Sequence, residues 1–142
     1  MIRRFVKACL FASLLFASYV SLVQAAEPVD TVQGIIEDQI AAFLNDDAET
    51  AYSFASPMIK EKFRDKGIFF EMVKRGYQPV YRPGNFKFGR NKLDGNTVVQ
   101  EVVIVGPDGS DWTALYYVVK QPDGSYKING VQMLQQKPGP EI

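Results

Sequence analysis

Three carboxylates, Asp46, Asp47 and Glu49, fall in one short stretch just before Tyr52. Further tyrosines stand at 77, 81, 116 and 117. A carboxylate beside a phenol in an apolar pocket is a recognised acid–base device. The apolar wall raises the carboxyl pKa, and the phenol donates to a developing oxyanion. A local role competes with it, because carboxylates at a helix start accept free N–H groups; that role is the expectation for Asp46 and Asp47. Glu101 is the one acid inside an apolar strand run. It is either a buried acid or a bulge residue, or else an exposed Glu on an uneven sheet, which is the reading adopted. Nucleophilic catalysis is weak, since Ser53, Ser56, Ser110 and Ser125 have no His to activate them. Ser56 reads as a cap, Ser110 and Ser125 as turn residues. With no His and one Cys, zinc fingers and His-based triads are excluded. Asp108 and Asp111 flank a tight turn but lack the dense oxygen spacing of a calcium loop. No metal site and no cofactor are expected.

Two stretches could bind rather than react. Tyr81, Arg82, Phe86, Lys87, Phe88, Arg90 and Lys92 interleave bases with aromatics and contain no acid. Such a run can hold an anion or a single-stranded nucleic acid. Simple strand alternation, with Phe86 and Phe88 inward and Lys87 outward, explains it as well and is preferred. An apolar pocket is the other candidate, with Tyr52, Met72, Tyr77, Trp112 and Tyr116 as its ligand-binding residues. The alternative is that these side chains fill the core.

The chain that must position them has 142 residues, with 46% hydrophobic and 13% aromatic content. That is one domain with a single core. Arg3, Arg4 and Lys7 precede an uncharged run from Ala8 to Val23, and Val23-Gln24-Ala25 fits a signal peptidase site. The expectation is a signal peptide over 1–25, cut after Ala25, and a periplasmic protein. The apolar run is short for a membrane span and holds three serines, so no span is expected after cleavage. Cys9 leaves with the signal, so no disulfide is expected. Total charges balance at 16 bases and 16 acids, and the signal takes three bases, so the remainder is acidic. That argues against a nucleic-acid partner.

The domain, expected over 26–136 with a loose tail at 137–142, splits into a helical and a strand half. Asp30 opens a helix by a capping box, with Val32, Ile35, Ile36, Ile40, Phe43 and Leu44 inward. Asp46 and Glu49 form a second box. Ser56-Pro57 starts a third helix to Lys66, with Met58, Ile59 and Phe63 inward and Gly67 as its C-cap. A last helix spans Ile68 to Arg75. After Tyr77 the period becomes two, with β-rich runs at 79–92, 97–105, 111–120 and 125–136. Asp94-Gly95, Pro107-Asp108-Gly109 and Pro122-Asp123-Gly124 separate them, and Gly130 marks a bulge. Helices followed by an antiparallel meander make an α+β fold. The middle strands are apolar on both faces, while helices can cover only one. The second face either joins two copies in a homodimer or is covered by a curved sheet's own rim.

Several strings carry a family likeness: Ile40-Ala41-Ala42-Phe43, Phe54-Ala55-Ser56-Pro57, Phe70-Glu71-Met72-Val73, Tyr77-Gln78-Pro79-Val80 and Asp123 to Gly130. From Val29 to Leu134 the chain resembles the bacterial domain-of-unknown-function family 4864, itself similar to the nuclear-transport-factor-2-like superfamily. The resemblance implies a cone of helices on a curved antiparallel sheet. It transfers no function and no catalytic residue. The reading is therefore an exported, non-catalytic module that binds a small apolar ligand or serves as an accessory or dimerisation domain. The alternative is a small isomerase- or hydratase-like enzyme using a carboxylate and Tyr.

Overall fold

The computed structural model describes residues 27–135. The expected signal at 1–25 and the tail at 137–142 lie outside them. Five helices come first: α1 (Pro28–Leu44), α2 (Ala48–Ser53), α3 (Pro57–Lys62), α4 (Lys66–Gly76) and α5 (Gln78–Tyr81). Four strands follow: β1 (Asn85–Asp94), β2 (Thr97–Val105), β3 (Asp111–Lys120) and β4 (Tyr126–Gln135). They form one antiparallel sheet in sequence order. None of the described helices is long and apolar enough to cross a membrane.

Helix boundaries follow caps, and several expected caps move. α1 starts at Pro28, with Glu27 at the N-cap and no side-chain cap, so Asp30 lies in the first turn rather than in a capping box. Proline at the helix start sets φ and needs no N–H partner there. The cap of α2 is Asp47, which accepts from the Thr50 N–H at 3.0 Å, not Asp46. Ser56 caps α3 as expected, but the helix stops at Lys62. Asp65 then caps α4, accepting from Gly67 and Ile68. Gly67 thus sits inside α4's first turn instead of ending α3. A Cβ there would lie 2.9 Å from the capping Asp65 Oδ1, so a larger residue would make that carboxylate shift. Pro79 does not open a strand: Tyr77 and Gln78 carbonyls accept from Tyr81 and Arg82, which makes α5 a single helical turn.

In the sheet, Val98, Gln100, Val102 and Ile104 of β2 face the helices with Ala114, Tyr116 and Val118 of β3. Val32, Ile36, Ile40 and Phe43 of α1 complete the core. Leu44 and Met58, expected inward, are 47% and 56% exposed. The β2–β3 and β3–β4 turns share Pro-Asp-Gly-Ser. In each, the aspartate accepts from the serine N–H at 3.0 Å and from its hydroxyl, and the glycine has positive φ. This is a three-residue hairpin loop with a left-handed third residue. It also commits Asp108 to the turn. The expected irregularity near Gly130 is present: Tyr117 pairs with Gly130 and Val118 with Ile128, leaving Asn129 as the extra residue. A second bulge interrupts β1 between Phe88 and Asn91.

That β1 bulge is bound from both sides. On the core side buried Gln100 directs its amide N–H at the carbonyls of Gly89, Arg90 and Glu101, and Gln100 Oε1 accepts from Gln33 at 3.1 Å. On the other side Glu101 accepts two bonds from the Arg90 guanidinium, at 2.8 and 3.1 Å. Glu101 is therefore not the exposed residue expected: its side chain is 21% exposed and ion-paired.

Candidate functional site

The five residues expected to share a pocket do not. A cavity of about 300 Å³ lies between α1, α3, α4, α5 and β4, and only Met72 and Tyr77 of the five line it. Tyr52 stands outside, where its hydroxyl donates to the Phe63 carbonyl at 2.5 Å and fixes the α3–α4 connection. Trp112 borders a separate depression with Gln78, Pro79 and Asp108. Tyr116 is fully buried beneath β3 and its hydroxyl has no partner among the described residues. Burial pushes its pKa well above the ordinary phenol value, which makes it a poor proton donor. A buried hydroxyl without a partner contributes nothing to stability. Tyr116→Phe should therefore unfold at or above the wild-type denaturant midpoint; a loss above about 1 kcal/mol would reveal a partner.

The cavity is built by packing around one helix end. Phe43 of α1 contacts the rings of Phe69, Phe70 and Tyr81 at centroid distances of 6.4, 5.9 and 6.4 Å. Phe43, Phe69, Val73, Val80 and Ile128 are buried and form the floor. Exposed Met58 and Lys62 mark the solvent side. Gln39, Asn129 and the Tyr77 phenol add polar groups. Gln39 donates to the Ala51 carbonyl at 3.1 Å, and Asn129 Oδ1 accepts from Ser56 Oγ at 2.8 Å. The β4 bulge serves this wall: Asn129 is its extra residue, and next to it Ile128 bridges to Ala55 in parallel. Sequence reasoning missed Gln39, Lys62 and Asn129. Gln39 was detectable, because it falls on the stripe of Val32, Ile36, Ile40 and Phe43.

The candidate carboxylates sit elsewhere. Asp46 adopts φ +53 and accepts from Tyr81 at 2.6 Å and Arg82 at 2.7 Å. Arg82 also donates to the Phe43 carbonyl and stacks on Tyr81, 4.0 Å from the ring centroid. The tie joins the end of α1, which has no basic residue in its last turn, to α5. The Tyr81 bond, then the Arg82 bond, holds the Asp46 pKa below the ordinary carboxylate value. Thr50 does the same for Asp47, and Arg90 for Glu101. A general acid needs the opposite shift. Glu49 pairs with Lys66 at 3.2 Å on the surface. Because folding lowers the Asp46 pKa, its contribution is complete above the unfolded value near 3.8 and fades as pH falls through the folded one. Asp46→Asn should thus be less stable than wild type at pH 6, and the gap should close in acid melts below about pH 4. A pH-independent gap would mean that geometry, not charge, carries the tie.

This cavity and sheet place the chain in a known class of fold. Over 80% of its length it matches 89% of a crystal structure of an NTF-2-like protein of unknown function from Burkholderia xenovorans LB400, with TM-score 0.51 and 10% identity. At that identity the likeness shows the fold alone: helices packed on a curved four-stranded antiparallel sheet. A family model, Domain of unknown function (DUF4864), matches residues 25–141. The chain belongs to that family. No curated protein matches it.

Proposed function

We propose that the protein is an exported, non-catalytic binding module whose ligand is a small apolar molecule held in the cavity beside Phe43. The observation that carries this is the lining: an apolar floor, three neutral polar groups and one lysine, with every candidate carboxylate engaged elsewhere. A cavity of this size lies at the lower bound for ligand pockets, about 300–1,000 Å³. Export rests on the charged start and apolar run of residues 1–25, and the family match begins where that segment ends. The exported protein should have a mass beginning at Ala26; a mass that includes 1–25 overturns this part.

Native mass spectrometry on the protein from its own host tests the binding. A small-molecule adduct lost in Met72→Trp is the expected result. That variant fills the cavity from a half-buried position and should weaken an apolar fluorescent probe at least tenfold with little change in unfolding midpoint. Unchanged probe affinity would remove the cavity as the site.

A homodimer through the outer sheet face is a second proposal. Val99, Val103, Leu115 and Tyr117 lie on the sheet face away from the core cluster and are half-buried. Four strands of this length present roughly 600 Å² of face, near the about 800 Å² per partner that stable interfaces bury. A monomer at all concentrations in sedimentation equilibrium overturns it.

A further inference from the structure

The geometry points to an anionic amphiphile as the ligand, with its acyl body on the Phe43 floor and its carboxylate at Lys62. This rests on the binding reading above and adds the headgroup to it. Charge is the first observation. Lys62 is the single ionised group on the cavity lining, and no described carboxylate pairs with it. Lys66 is held by Glu49 at 3.2 Å, Lys74 by Glu71 at 3.5 Å, and Lys127 donates to the Ser53 carbonyl at 2.9 Å; Lys60 also has no carboxylate partner but lies over the Tyr52 ring at 5.2 Å, away from the cavity lining. The Lys62 ammonium instead lies 5.7 Å from the Phe63 ring centroid, at the boundary between solvent and the apolar wall. A cation at such a boundary attracts an anion whose apolar part is already buried, because the anion keeps one side in water.

Donor chemistry is the second. Asn129 already accepts from Ser56 with its oxygen, while its amide N–H groups make no hydrogen bond to a described residue. Gln39 spends its amide nitrogen on Ala51, deep in the floor. A carboxylate head thus meets a cation and the Asn129 amide on the same lining, whereas a cationic head would find no counter-charge. The small volume sets the body. Affinity for a homologous series should rise about fourfold per methylene until the cavity is full, then level off.

The test titrates decanoate, decanol and decyltrimethylammonium into the wild-type protein, Lys62→Gln and Lys62→Glu, by calorimetry. Decanoate should bind wild type at least fivefold more tightly than decanol, and the cation most weakly. Lys62→Gln should remove the advantage of decanoate and leave decanol unchanged; Lys62→Glu should reverse the order of the charged pair. High salt should weaken only decanoate in wild type. Equal affinities for all three in wild type, or a decanoate preference that survives Lys62→Gln, overturn the headgroup assignment while leaving the cavity a binding site. Binding of none of them overturns the binding reading as well.

Discussion

Phe43→Ala is expected to remove about 3–5 kcal/mol of folding stability. The ring is 1% exposed and touches three other rings from α4 and α5. Its loss leaves a void that neighbours on separate helices cannot close together, and a cavity adds its own cost to the lost transfer energy. It also sits next to the carbonyl that Arg82 holds, so the junction of α1, α4 and α5 loosens as a unit. Denaturant unfolding with an unchanged slope is the measurement. A cost below about 1.5 kcal/mol, the range of an isosteric swap, would mean that these helices do not depend on the ring.

Gln100→Ala should cost about 2–3 kcal/mol for a different reason. The side chain is fully buried and holds the carbonyls of Gly89 and Arg90, while it accepts from Gln33. Alanine leaves a void where the fully buried side chain stood and strips the half-buried Gln33 amide of its acceptor and the bulge of its donor. Gln100→Met separates the parts, since it keeps the volume and removes the donors. If Met restores wild-type stability, the clasp acts by packing alone. If Met is as damaging as Ala, the hydrogen bonds to the bulge carry the effect.

How legible the fold was depended on whether a signal was local. Thr97–Val105 and Asp111–Lys120 are readable to the residue, because Asp-Gly turns and β-branched alternation are properties of adjacent residues. Ser56 is readable as a cap for the same reason, and Phe86 and Phe88 face the core as alternation predicts. The errors come where tertiary contacts choose between neighbours. Asp46 and Asp47 are equivalent as sequence; only Tyr81 and Arg82, 35 and 36 positions away, assign one to a tie and leave the cap to the other. Pro79 reads as the start of an irregular β-rich run, and only the bonds from Tyr81 and Arg82 back to the Tyr77 and Gln78 carbonyls make it part of α5. The site suffered most: Trp112 and Tyr116 share a strand face with the core, but the cavity lies at the helix end of that face, and β-periodicity gives no position along the third dimension. Lys62 resembled any lysine on a solvated helix.

The contact between Ala55 and Ile128 sets an order of events. It closes a loop of 73 residues, the same span that separates Ser56 from Asn129. Every strand pair in the sheet, by contrast, joins sequence neighbours through a tight turn. Short loops close first, since the entropy of closure grows with their length. The meander can therefore zip on its own, and β2 and β3 already match much of the helices' apolar face before the last strand is made. A nascent chain stopped just before residue 128 can set α1 against β2 and β3, but its cavity still lacks Ile128, Asn129 and Val131. The cavity is thus the last part of the fold to be completed, after the sheet that walls it, so capacity to bind arrives only with the final strand.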